Sequence, residues 1–142
     1  MPTIESGPET TQAVLPQAKA VAWVRELYHN HVDKKDAVGF AAVFADDAWM
    51  RFANADPIVG KKNIEAAIAG FFTMLDTLTH EQTGLWSQRD ALIIEANVTY
   101  RRLDGGMVTV PAVTIMRLAA TATGPVVTRC QMFVDLAPLF TP

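Results

Sequence analysis

Hydrophobic and polar positions fall into two regimes along the chain. Between residues 17 and 32, Val21, Val24, Leu27, Tyr28 and Val32 recur at helical intervals, with Arg25, Glu26 and Asn30 between them, so the spacing predicts an amphipathic helix. Asp36 is placed to cap a short second helix carrying Phe40, Val43 and Phe44 on one face. Asp46-Asp47 breaks that pattern. Residues 48–54 alternate as a short first strand, and a loop over 55–60 holds Pro57 and ends in the turn residue Gly60. A third helix then carries Ile64, Ile68, Phe71, Phe72 and Leu75 at intervals of three and four.

Beyond Leu75 the period changes to two. Four runs, near 77–88, 91–103, 107–119 and 126–136, are separated by turn residues, of which Asp104-Gly105-Gly106 is the strongest signal. Strands joined by short hairpin turns pair antiparallel, so three helices followed by a meander predict an α+β fold. Strands this long twist and curl. The apolar helix faces must then be buried in the concave side of the sheet, giving a cone-shaped α+β barrel with three N-terminal helices packed into a strongly curved antiparallel sheet. Residues 17–140 form this domain, whereas residues 1–16, rich in Pro, Gly, Ser, Thr and Glu without periodicity, read as a disordered or loosely packed arm outside the core.

Composition narrows the partners. Half of the 142 residues are hydrophobic, enough for one continuous core, and 12 Lys and Arg stand against 15 Asp and Glu for a net charge of -3. The basic pairs Lys34-Lys35, Lys61-Lys62 and Arg101-Arg102 are scattered, so nucleic acid finds no electrostatic footprint. No apolar run approaches the roughly 20 residues that cross a bilayer, and the N-terminus lacks the basic start and apolar stretch of a secretory signal. Cys130 is the only cysteine and sits in the strand-like run VVTRCQMFV. A reducing, cytoplasmic location is therefore expected, and the sequon Asn97-Val98-Thr99 is a chance match. His29 and His31, two apart on a helix, point to different sides and cannot chelate one ion. With no glycine-rich phosphate loop, activated nucleophile or HExxH pattern, neither a cofactor nor a metal is expected.

The segments FADDAWMRF, DPIVGKKNIEAAIAGFF, RRLDGGMVTVPAVTIMRL and VVTRCQMFVDLAPL, in this order, resemble the nuclear transport factor 2-like superfamily, and within it the SnoaL-like branch. The resemblance covers roughly residues 17–140. It implies a cone-shaped pocket for a small apolar organic ligand, frequent dimerisation through the convex sheet face, and functions from isomerase, cyclase, dehydratase and epoxide hydrolase to non-catalytic binding. Against the ketosteroid isomerases, Tyr28 matches the helix-one tyrosine that donates to the substrate carbonyl. Arg51 and Thr114 stand where that mechanism needs its two carboxyls. Against the limonene epoxide hydrolases, Glu95, Asn97 and Met132 replace parts of the Asp-Arg-Asp set, and Arg102-Leu103-Asp104 lies at a hairpin. For SnoaL-type cyclases the nearby acid is Asp135.

If Thr114 faces the concave side, alternation places Val110, Ala112 and Met116 with it, and the same rule applied to the last strand turns Arg129, Gln131 and Phe133 inward and Cys130, Met132 and Val134 outward. An apolar convex face then argues for a homodimer. The candidate catalytic groups are Tyr28, Arg51, His80, Arg129 and Asp135. Trp49, Phe72, Trp86 and Tyr100 are candidate ligand contacts, together with Thr114, Met116, Gln131 and Phe133. Each has a plainer alternative: an ion pair at the rim for Arg129, a solvated rim position for Arg51, a structural hydrogen bond for Tyr28, plain core for the aromatics. Two functions stay open. One is a cofactor-independent enzyme acting by proton transfer on a cyclic or polyketide-like molecule; the other is a non-catalytic binding or assembly domain of the same fold.

Overall fold

The computed structural model describes Ile4 and residues 12–141; the rest of the N-terminal arm lies outside the described residues. Helix α1 spans Gln17–Asn30 and buries Ala20, Val24, Leu27 and Tyr28, the face its periodicity marks. A 3-10 turn, Val32–Lys34, follows, then α2 over Ala37–Ala41. Asp36 caps α2 by accepting from the Gly39 amide at 3.0 Å and also takes the His31 ring at 2.8 Å. That packing requires glycine at position 39, because a Cβ there would lie 2.0 Å from His31 Nδ1.

Strand β1 covers Phe44–Phe52, β2 Ile58–Val59, α3 Lys61–Phe72, β3 Leu75–Gln88, β4 Ala91–Arg102, β5 Met107–Thr121, β6 Gly124–Val134 and α4 Ala137–Phe140. The strand β1 therefore starts four residues before the sequence pattern suggests. Its pairing is irregular between Phe44 and Trp49, so Asp46 and Asp47 stay exposed inside a strand instead of ending one. The β3–β6 meander is antiparallel as expected, and Asp104 closes its middle hairpin by accepting from the Gly106 amide at 2.8 Å.

The sheet order is β2-β1-β6-β5-β4-β3. Two details complete the expected cone. The sheet is curled but not closed, with β2 and β3 as its edges, and β1 joins β6 in parallel. Register shifts that leave Thr83 of β3 and Thr128 of β6 as extra residues are bulges of the kind that bend strands. The core, including Leu27, Phe44, Met50, Ile64, Leu92 and Met116, fills the space between helices and concave face. Leu15 belongs to it at 6% exposure, and the Val14 amide donates to Arg89 O. The end of the presumptive arm is thus docked on the sheet.

The exposed edge of β3 is occupied by side chains from the N-terminal helices. The Gln17 amide donates to Leu85 O and accepts from the Ser87 amide, Lys35 donates to Leu75 O, and Asp33 accepts from the His80 amide. Each bond satisfies a backbone group that would otherwise invite strand addition. The last of them also positions the site.

Candidate active site

Between the helices and the concave face lies a narrow cavity of about 50 Å3 that opens to solvent on one side. Its walls are mainly apolar, with Phe40 and Phe72 from the helices and Ile94, Ala112 and Met132 from the sheet. Tyr28, His80, Tyr100 and Thr114 bring polar atoms to it.

His80 is held from two directions. Its Nδ1 lies 2.7 Å from Asp33 Oδ1, and its backbone amide donates to Asp33 Oδ2 at 3.1 Å. The two side chains are only 11% and 12% exposed. A carboxylate accepts and cannot donate, so Nδ1 carries the proton of this bond and Nε2 is left with a free lone pair in the neutral ring. The Tyr28 ring packs edge-on against the imidazole with centroids 4.7 Å apart. Burial, more than any neighbouring charge, raises the Tyr28 phenol well above its usual range, while a hydrogen bond with Thr114 works in the opposite direction. Burial likewise pushes Tyr100 up to about 12. Both phenols are therefore protonated donors at neutral pH. An oriented imidazole beside a buried phenol in a mainly apolar pocket is suited to moving a proton from carbon or oxygen while stabilising the charge that develops.

Of the residues singled out from sequence, Tyr28, His80, Phe72, Tyr100 and Thr114 line this cavity. The others lie elsewhere. Thr114 pairs with Met132 across β5 and β6, and directly paired residues share a face. Met132 and Val134 therefore line the cavity and Cys130 is fully buried, while Arg129, Gln131 and Phe133 face outward, the reverse of the expected phase. Both phases of β6 carry some apolar residues, and the apolar one goes inward because an unpaired guanidinium in this pocket would cost far more than a buried thiol or methionine. Arg129 stacks over the Trp49 ring at 4.0 Å and donates to Gln131 Oε1, placing all three on the outer face.

Arg51 donates to Ala55 O at 3.2 Å on the same outer side. Trp86 and Phe133 are about half exposed, Met116 is packed in the core, and Asp135 is exposed just before α4, accepting from the Ala137 amide. Glu95 and Asn97 face outward too, bonded to Thr83 and Glu81.

The residue of this candidate site that sequence reasoning missed is Asp33. It sits 47 positions before its partner, in a turn of charged residues with no local signature, and only the packing of the 3-10 turn on β3 joins the two. Among the described residues, no group of three or more His, Cys, Asp or Glu is placed to hold a metal, and no helix is long and apolar enough to cross a membrane.

A strongly curled, unclosed sheet wrapped over helices defines the cone fold of the nuclear transport factor 2-like proteins. The SnoaL-like domain family matches residues 24–122, and the chain belongs to that family. No curated protein matches it. Among solved structures it is similar to a candidate SnoaL-like polyketide cyclase from Jannaschia sp. CCS1, with 20% identity, a TM-score of 0.69, and coverage of 86% of this chain and 89% of that one. It is also similar to ActVI-ORFA from Streptomyces coelicolor, with 16% identity, a TM-score of 0.71, and 83% and 96% covered. A third is a hypothetical protein of ketosteroid isomerase-like fold from Catenulispora acidiphila DSM 44928, in complex with trimethylamine, with 18% identity, a TM-score of 0.65, and 90% and 89% covered. These likenesses establish the fold.

Proposed function

We propose that the protein is a cofactor-independent proton-transfer enzyme of the isomerase, cyclase or dehydratase kind, acting on a small, mainly apolar cyclic or polyketide-like molecule. The observation that carries this reading is the His80–Asp33 pair, bonded at 2.7 Å on the wall of an apolar cavity with Tyr28 against it. In the proposed step His80 Nε2 takes a proton from the carbon next to a substrate carbonyl. The electrons of the broken C–H bond move to the carbonyl oxygen, and the Tyr28 hydroxyl donates a hydrogen bond to the resulting enolate. Return of the proton from His80 to a different atom completes an isomerisation; attack of the enolate carbon on a second carbonyl breaks that C=O π bond, and the His80 proton passes to the new alkoxide to complete a ring closure. Asp33 is a positioning residue in this scheme.

The protein is further proposed to work as a cytoplasmic homodimer. The outer sheet face supports the dimer, since Trp86 and Phe133 stand 54% and 50% exposed there. The lone Cys130, buried in the core, fits a reducing compartment.

The test is deuterium exchange. 2-Tetralone, a neutral bicyclic ketone with acidic α-protons, is incubated with the protein in D2O and followed by proton NMR. The expected result is exchange faster than in buffer, reduced by on the order of 10²–10⁴ in His80→Ala and clearly slowed in Tyr28→Phe. Tetralone that binds without any acceleration of exchange would instead identify a binding domain.

A further inference from the structure

Tyr100 brings to the cavity a hydrogen-bonding group that the proposed proton transfer does not use. It lines the cavity at only 3% exposure, and its ring meets Phe71 edge-on with centroids 6.0 Å apart. Among the described residues no group hydrogen-bonds its hydroxyl. Nor is that oxygen sealed in the core, where the buried atoms left without a partner are Gln82 Nε2 and Asp90 Oδ1. Buried tyrosine hydroxyls ordinarily find a partner, and a phenylalanine would fill the same space without an unpaired polar group. The sheet register says on which side of His80 this hydroxyl stands. Along β4, Ile94 pairs with Thr114 of β5, Val98 with His80 of β3, and Tyr100 with Leu78 of β3, and directly paired residues share a face. His80 therefore lies between Thr114 and Tyr100 on the concave face, with diagonal neighbours such as His80 and Tyr100 roughly 7–8 Å apart. The Tyr28 hydroxyl bonds with Thr114 and so belongs to the Thr114 side. The two phenols flank the imidazole instead of converging on one oxygen.

We propose that Tyr100 is a specificity-determining residue that hydrogen-bonds a second oxygen of the ligand, on the far side of the reacting carbon from the carbonyl that Tyr28 takes. The proposal rests on the cavity being the ligand site as read above. It narrows the substrate class to cyclic ketones that carry a further hydroxyl or carbonyl oxygen across the ring system. Burial pushes the Tyr100 phenol up to about 12, so at neutral pH it keeps its proton and can donate to either kind of oxygen.

The experiment uses 2-tetralone, 6-hydroxy-2-tetralone and 6-methyl-2-tetralone, titrated calorimetrically into the full-length protein and into Tyr100→Phe. The 6-substituent lies at the opposite end of the ring system from the ketone, with an acidic methylene between them, and hydroxyl and methyl are close in size, so the pair differs mainly in hydrogen bonding. The wild type is expected to bind the hydroxy ketone roughly two- to tenfold tighter than the methyl one, the net worth of one hydrogen bond. Tyr100→Phe is expected to reverse that preference, because the ligand hydroxyl is then buried unpaired, and to leave the Kd of 2-tetralone within about twofold. Nuclear Overhauser contacts from the aromatic protons of the bound hydroxy ketone to the Tyr100 ring in the wild-type protein give the same placement without a variant. Equal weakening of all three ketones by Tyr100→Phe would put its hydroxyl on the reacting carbonyl, and an unchanged preference would take it out of ligand recognition. Either result overturns the proposal and leaves the cavity reading standing. If none of the three ketones binds the wild type, both readings fall together.

Discussion

Replacing Asp33 with asparagine tests the site at its least visible point. The carboxylate accepts two hydrogen bonds, from His80 Nδ1 at 2.7 Å and from the His80 amide at 3.1 Å. Asparagine has one acceptor oxygen. The backbone amide is an obligatory donor and claims that oxygen, which turns the carboxamide NH2 toward the ring and makes Nδ1 an acceptor. The neutral imidazole must then carry its proton on Nε2, and the base facing the cavity becomes a donor. With both side chains nearly nine-tenths buried, water has little access to restore the original tautomer. The exchange of one charge-assisted bond for a neutral one costs on the order of 1 kcal/mol, whereas Asp33→Ala leaves both donors unsatisfied and costs on the order of 2–4 kcal/mol. At this chain length that is roughly 6–12 °C in Tm. Long-range proton–nitrogen correlation spectra distinguish the tautomers of the neutral ring directly. The His80 signals are expected to show Nδ1–H in the wild type and Nε2–H in Asp33→Asn, with exchange of 2-tetralone protons reduced by about 10²-fold or more. An Nδ1–H tautomer in both proteins would refute the assignment of Asp33 as the residue that aims the base.

Three further outcomes are expected. The Tyr100 phenol is raised by burial to about 12 when folded, against about 10 when unfolded, so the folded state holds its proton more tightly. The stability this contributes is complete below pH 10 and is lost as pH rises toward 12; denaturant titrations across that window are expected to show a decline that Tyr100→Phe reduces. The Cys130 thiol is fully buried and pushed up to about 12, so a disulfide reagent at pH 8 is expected to leave it unmodified in the native protein and to react fully in denaturant. Arg129 stacks on Trp49 outside the cavity, so Arg129→Ala is expected to leave tetralone binding within about twofold by calorimetry and, as a partly exposed cation–π pair, to cost only about 0.5–1 kcal/mol in a chemical melt.

The sequence by itself determined the main helices and the meander strands and their order, but not the short β2 and α4 or the start of β1 at Phe44. Periods of 3.6 and 2 are local properties, so α1, α3 and the four meander strands were legible to within a few residues, and Asp36 and Asp104-Gly105-Gly106 wrote their own cap and turn. Tyr28 and His80 were legible as candidates because they are chemically able residues within core-facing patterns. What only the tertiary structure decided was phase and partnership. Residues Cys130, Met132 and Val134 alternate with Arg129, Gln131 and Phe133 whichever set faces inward, and it took the pairing of Thr114 with Met132 to choose. The parallel junction of β1 with β6 and the meeting of Asp33 with His80 join segments far apart in the chain. No local pattern encodes such contacts, because their energy exists only once the sheet has curled and the helices have been buried against it.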